Sequence, residues 1–330
     1  MPQFIRIHEG KGLARLRLDE LPLPEPGIGE VRIKVEAFAL NYGDFGLMEG
    51  DYPFSVELPS TFGDEASGLI DTVGPKVTLF GAGDRVATLP WMNAGYGVNG
   101  EYAVVPEYYV THCPENLDAN ACASIWITYL TAYGGLYTAA AIKPEDFVLN
   151  CAASSSAGIA ATQLAGLAGA TVIGTTRGRD NVDFILETGA DHVITTNEDD
   201  VSARIQEITD GRGVRVVYDP VGSPLLQQYA GGLARDAIIF LYGSMGGQES
   251  VVPLNEMIQT NSILRPHSVY NYIDDPQWKQ EAIEFISTAM QDGRLSVLID
   301  RCFSLDDFRS AYEYQWAARN RRGKILINPG

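Results

Sequence analysis

The rhythm of apolar and polar positions changes once along the chain, near residue 120. Before that point, short stretches alternate the two kinds between Gly- and Pro-rich turns. Residues 13–18 (LARLRL), 31–38 (VRIKVEAF), 68–73, 81–87 and 100–106 (GEYAVVP) fit strands with one covered and one wet face, and 22–27 (PLPEPG) reads as a turn-rich link. They predict a small, irregular, mostly antiparallel β domain. Beyond residue 120 the apolar runs become continuous. Residues 147–149, 171–174, 214–219 (VRVVYD) and 237–242 (AIIFLY), with another strand beginning around 189–194, suit strands buried on both faces. Helical stretches at 159–165, 201–209 and 224–234 lie between them. Such alternation predicts an α/β fold with a doubly wound parallel sheet. Residues 278–293 space apolar side chains for a helix, and 324–327 (KILI) reads as a strand returning to the first domain. The expected organisation is a β domain over 1–120, completed by about 268–330, and a cofactor domain over 121–267.

The segment 147–177, FVLNCAASSSAGIAATQLAGLAGATVIGTTR, carries the chemistry. It reads as strand, small-residue turn, helix and second strand. Nothing larger than cysteine occurs from Cys151 to Gly158, so backbone can approach a pyrophosphate closely. Gly158 is read as the opening of a helix whose N–H groups and dipole face the phosphates. A strict G-x-G-x-x-G is absent, and the competing reading is a small-residue helix start. Ser154, Ser155 and Ser156 replace glycine flexibility with hydroxyls that can donate to phosphate oxygens; Ala157 and Gly158 complete the turn. A site for the unphosphorylated dinucleotide places Asp or Glu at the end of the second strand. Here stand Thr175, Thr176 and Arg177, with Arg179 following. A guanidinium pairs with a 2′-phosphate where a carboxylate repels it, so the cofactor read from this segment is NADP(H). Gly243 and Ser244, after the strand 237–242, are expected at the carboxyl ends of the sheet beside it.

Composition narrows the partners. The 330 residues carry a formal charge of −18, which argues against nucleic acid and anionic membranes. Cys113, Cys122, Cys151 and Cys302 are widely spaced and form no C-x-x-C, so neither a disulfide framework nor a zinc knuckle is expected. No apolar run approaches the ~18 residues of a membrane span, and residues 1–9 lack the apolar core of a signal peptide. The sequence is read as cytoplasmic, with a small molecule as its substrate.

Several motifs succeed one another in a set order: Asn41-Tyr42-Gly43-Asp44, Gly50-Asp51-Tyr52-Pro53, residues 59–68 (PSTFGDEASG), Gly83-Asp84-Arg85-Val86, Leu130-Thr131-Ala132-Tyr133, the serine turn, Gly189-Ala190-Asp191 and Gly323-Lys324. In order and spacing the chain resembles the medium-chain dehydrogenase/reductase superfamily, and is most similar to its zinc-free quinone oxidoreductase and enoyl reductase branch. The resemblance implies a GroES-like β domain, a Rossmann domain, a cleft holding NADPH, and a homodimer formed through cofactor-domain edge strands. Zinc-dependent relatives place Cys near Asn41, Gly-His-Glu at Gly63-Asp64-Glu65 and Cys near Ile127. Asp64 and Glu65 cannot alone supply three ligands, so no metal is expected.

The expected activity is that of a reductase passing hydride from NADPH to a quinone or an α,β-unsaturated carbonyl. A metal-free carbonyl or alcohol dehydrogenase and a non-catalytic NADPH-binding protein are the alternatives. By resemblance, Tyr52 matches a proton-donating tyrosine and Asn41 a polar residue that binds the substrate or the nicotinamide ribose. The plainer readings are a packing tyrosine before Pro53 and a turn-capping asparagine. Asp64 is read as a proton relay or as the partner of an arginine. Thr131 and Lys324 are carried over as cofactor contacts. Tyr129 and Tyr270 are candidates for an aromatic substrate pocket, and His267 for an approach to the nicotinamide.

Overall fold

A computed structural model describes residues 1–50, 57–91, 96–317 and 321–330. The chain forms two compact units. One joins Met1–Ile127 to Val297–Gly330, and the other is Thr128–Ser296. The first unit contributes β1 (Gln3–Ile7), β2 (Leu16–Glu20), β3 (Glu30–Ala39), β4 (Ser60–Thr61), β5 (Ala66–Val73), β6 (Arg85–Thr88), β7 (Tyr102–Pro106) and β8 (Val110–His112). The second contributes β9 (Phe147–Asn150), β10 (Thr171–Thr176), β11 (His192–Thr195), β12 (Val214–Asp219), β13 (Leu233–Leu241) and β14 (Ile263–Pro266). The chain then returns to the first unit with β15 (Ile299–Ser304) and β16 (Lys324–Asn328). Four helices bear on the candidate site: α1 (Gly43–Glu49), α2 (Ala119–Cys122), α3 (Trp126–Tyr133) and α4 (Ser156–Leu167).

In the first unit a small sheet runs β2-β1-β4, and a larger one runs β15-β16-β3-β5-β6-β8 with β7 also on β3. Pairings are antiparallel except that of β15 with β16. β3 is buried from Val31 to Ile33, alternates exposed and buried positions from Lys34 to Glu36, and is then buried through Ala39, where β16 joins it. Ile5, Ile33, Phe38, Phe45, Tyr312 and Ile325 belong to the core beneath these sheets. The alternation at 13–18 yields a strand only from Leu16. Residues Gly12–Arg15 form a 3₁₀ turn, because buried Arg15 turns inward to donate to the carbonyls of His8, Leu47 and Met48.

The second unit holds a sheet ordered β11-β10-β9-β12-β13-β14, parallel throughout. This is the doubly wound order, and strand sequence reverses between β9 and β12, where such sheets bind ligands. Two expectations shift. The helix expected to run to residue 234 ends at Tyr229, since Gly231 and Gly232 break it, and β13 already begins at Leu233. This unit also continues beyond residue 267 to Ser296. The helix Pro276–Gln291 packs Trp278 and Phe285 on Tyr133, and the Tyr129 hydroxyl lies 2.8 Å from the Ser296 carbonyl oxygen. No helix among the described residues is long and apolar enough to cross a membrane.

Candidate functional site

The turn after β9 is held from both sides. Asn150 donates through Nδ2 to the Gly158 carbonyl (2.7 Å) and Thr162 Oγ1 (2.8 Å). The Ala153 N–H donates to the Thr175 carbonyl of β10 at 3.0 Å, and Ala152 takes the left-handed conformation, φ +51°. The helix starts two residues before the expected Gly158. Ser155 is its N-cap, with Oγ accepting the Gly158 N–H at 3.0 Å, and Ser156 is the first helical residue. The cap consumes one helix donor but keeps the serine O–H, which can donate outward. Ser154 Oγ accepts from Asn181 Nδ2 at 3.4 Å. Gly158 is required sterically, since a Cβ there would lie 2.6 Å from the Ala152 carbonyl oxygen. Half-buried Ser154, Ser155, Ser156 and Ala157 thus surround the start of α4.

At the end of β10 the two arginines differ. Arg179 Nε is 2.6 Å from Glu198 Oε2. Arg177 is exposed, and among the described residues its guanidinium has no hydrogen-bond or ion-pair partner. Half-buried Thr176 precedes it. Small-residue turn, capped helix and uncommitted guanidinium fit a phosphorylated dinucleotide.

Sequence reading missed an anchor at the end of β12. Buried Asp219 accepts the N–H groups of Val221 (2.7 Å) and Gly222 (3.1 Å) and the Tyr229 hydroxyl (2.9 Å). Burial pushes its carboxyl up, against those bonds. The Cys151 thiol, raised by burial, also meets Asp219, tying the turn after β9 to the loop after β12. Gly243 lies against that loop, where a Cβ would meet the Pro220 carbonyl oxygen at 2.8 Å, and half-buried Ser244 follows.

Thr131 lies in α3, which continues into a π-helical turn, Gly134–Ala139. Its carbonyl is 2.8 Å from His267 Nε2, so that nitrogen carries the proton. Burial lowers the histidine pKa, and Nδ1 makes no hydrogen bond among the described residues. Tyr129 sits in the core of this unit, with its hydroxyl between Gln163 Oε1 (2.9 Å) and the Ser296 carbonyl. Half-buried Tyr270 lies in the turn Val269–Asn271.

In the first unit, Asn41 and Lys324 are brought together, far apart as they are in sequence. Lys324 Nζ is 2.5 Å from Glu65 Oε2 and donates to Asn41 Oδ1 at 2.7 Å; Asn41 Nδ2 donates to Glu65 Oε2 at 3.3 Å. Glu65 Oε1 accepts the Ile127 N–H at 3.1 Å. Both members of the ion pair are essentially inaccessible, at 1% for Lys324 and 0% for Glu65. The lysine read as a cofactor contact thus has its ammonium committed to Glu65 and Asn41. Asp44, on the first turn of α1, is buried and accepts the Asn41 N–H at 3.0 Å. Burial pushes its carboxyl up to about 8; Asp64 and Glu65 add to the shift, and Lys324 opposes it. Half-buried Asp64 therefore faces the same nest, and its carbonyl accepts Thr88 Oγ1 at 3.1 Å. Tyr52 lies outside the described residues.

Two family models match this chain. That of the alcohol dehydrogenase GroES-like domain covers residues 27–115, and that of zinc-binding dehydrogenases covers 157–288. The chain belongs to the medium-chain dehydrogenase/reductase superfamily, in its zinc-free quinone oxidoreductase branch. Superfamily relatives align over almost the whole length. A quinone oxidoreductase from Pseudomonas aeruginosa is 29% identical over 307 residues, covering 92% of this chain and 93% of the relative. A 2-haloacrylate reductase from a Burkholderia species is 29% identical over 331 residues, covering 98% of each. The crystal structure of Escherichia coli quinone oxidoreductase complexed with NADPH superposes with a TM-score of 0.90 at 28% identity, covering 99% of this chain and 100% of that one. Where the superfamily's zinc enzymes carry His-Glu, this chain has Asp64 and a Glu65 engaged by Lys324.

Proposed function

We propose that the chain is an NADPH-dependent, zinc-independent reductase that transfers hydride to a quinone or to an alkene conjugated to a carbonyl. The observation that carries the cofactor choice is Arg177, exposed and uncommitted at the end of β10, in place of a carboxylate. When bound, the dinucleotide supplies the hydride. Ser155 and the start of α4 bind its phosphates, and Gly243 and Ser244 flank it. The substrate class rests on the relatives: a quinone and a 2-haloacrylate share an electron-poor conjugated double bond. Such acceptors take hydride directly and need mainly orientation and a partner for the developing oxygen charge. Asn41, its amide fixed by Lys324 and Glu65, retains a second Nδ2 hydrogen for that oxygen. Tyr52 is proposed as proton donor, Asp64 as relay, and Thr131 and Tyr270 as neighbours of the reacting groups.

Arg177→Ala should weaken NADPH by roughly ten- to a hundredfold, the worth of about 1.5–3 kcal/mol for a charged hydrogen-bond partner. The Kd for NADH should barely change, and equal losses for both would sink the assignment. We further propose a cytoplasmic homodimer. β14 ends the parallel sheet, with no strand beyond it among the described residues, and Val251, Leu254, Ile258 and Ile263 are exposed on it and beside it. Light scattering should give twice the chain mass for the wild type, and the chain mass for Ile258→Arg combined with Ile263→Lys. A monomeric wild type would refute the pairing.

A further inference from the structure

The loops that follow β10 and β11 are laced together at the carboxyl end of the parallel sheet. Thr176 of β10 lies opposite Thr195 of β11, and the pairing runs on past both strands. The Thr196 N–H donates to the Thr176 carbonyl at 2.8 Å, and the Asn197 N–H to the Arg177 carbonyl at 3.2 Å. The second loop then turns back on itself, with the N–H groups of Glu198 and Asp199 both donating to the Thr195 carbonyl, at 3.0 and 2.8 Å. The Asp199 carboxylate closes this turn by accepting the Thr195 N–H at 2.7 Å and the Thr195 hydroxyl at 2.6 Å. The first loop is fixed at its far end. Residues Arg179–Asn181 form a 3₁₀ turn, and buried Asn181 donates to Ser154 of the phosphate turn at 3.4 Å. Across the gap between the loops, Arg179 Nε donates to Glu198 Oε2 at 2.6 Å.

We infer that Glu198 sets how strongly the chain selects a phosphorylated dinucleotide, by holding Arg179 until that arginine exchanges the carboxylate for the 2′-phosphate. The inference rests on the NADPH reading proposed above. It makes Arg179 a second guanidinium for the phosphate, two residues beyond Arg177, and Glu198 the residue that tunes its availability.

Exposure decides that the pair can exchange. The side chains of Arg179 and Glu198 are 80% and 41% exposed, and an ion pair in water is weak. A phosphate offers more charge and more acceptor oxygens than a carboxylate, and a guanidinium can grip two of them at once. Both loops are tied through their backbones, so the exchange asks only for rotation of one long, exposed side chain. Asp199 does not compete for the arginine in the same way, because its carboxylate is spent on Thr195. The cost of leaving Glu198 is subtracted from what Arg179 gains on the phosphate. A ligand without the 2′-phosphate leaves the pair undisturbed.

Calorimetric titration of the full chain with 2′,5′-ADP and with 5′-AMP reads this end of the cofactor alone. Glu198→Gln should bind 2′,5′-ADP roughly two- to fivefold more tightly than the wild type and 5′-AMP equally well. Arg179→Gln should weaken 2′,5′-ADP roughly three- to tenfold, again with 5′-AMP unchanged. In the double variant the gain from Glu198→Gln should vanish, because no arginine is left to release. A gain that persists without Arg179 would mean that Glu198 merely repels the phosphate, and would overturn the exchange. So would a Glu198→Gln variant that binds 2′,5′-ADP no better than the wild type, while the wild type still prefers 2′,5′-ADP to 5′-AMP. A wild type without that preference would sink the NADPH reading, and the exchange with it.

Discussion

Lys324→Met should cost about 3–5 kcal/mol of folding stability, the usual penalty for stranding one charge of a buried pair. The lysine is sealed in the first unit against Glu65, and Asn41 holds both partners. Removing the ammonium leaves a carboxylate whose partners among the described residues are the Asn41 amide and the Ile127 N–H. Methionine keeps much of the stem volume, so the loss is electrostatic rather than a cavity. Glu65→Gln should cost a similar amount by stranding the lysine instead. The double variant strands neither, and should recover most of either loss. Urea unfolding of the four proteins measures the coupling; single losses below about 1 kcal/mol that simply add would refute it.

Asp44 should make stability fall as pH rises. Its folded carboxyl, pushed up to about 8, keeps a proton that the unfolded chain has already lost at neutral pH. The folded state therefore binds more protons between the ordinary carboxylate value and about 8, and stability drops across that window by up to about 1.4 kcal/mol per pH unit. Below the window both states are protonated and the contribution is flat. Asp44→Asn mimics the protonated form and still accepts the Asn41 N–H, so it should gain on the wild type with each unit of pH. Urea midpoints of both proteins at pH 5 and pH 8 read the difference, and a gap independent of pH would contradict the buried proton. Asp64, Glu65 and Lys324 face the same carboxyl, and they broaden the transition rather than reverse its sign.

Burial decides how much of the fold was legible in the sequence. Strands β9, β10 and β12, and β13 from Ala237 on, are covered on both faces, so they read as apolar runs, and the small-residue turn between β9 and α4 stands out locally. Arg177 is legible because its role depends only on where β10 ends. The first unit was harder. Arg15 bends a strand pattern into a 3₁₀ turn through carbonyls that belong to α1 and its neighbours. The edge strand β14 is only four residues long, with no fully buried position, so it left no apolar signal. The nest around Asn41 was the least legible. Its residues could be singled out by resemblance, but Lys324 meets Asn41 across 283 positions of sequence, and only the fold shows that the pair of charges is mutual. The N-cap role of Ser155 was similarly hidden, because a serine in a phosphate turn reads equally well as a cap or as an outward donor.

The most direct test of the account is steady-state oxidation of NADPH by the purified chain with a quinone, an enone and an aldehyde offered separately. The account predicts turnover with the quinone or the enone, little with the aldehyde, and NADPH preferred to NADH. Fastest turnover with the aldehyde, or tight NADPH binding with no turnover of any acceptor, would contradict it.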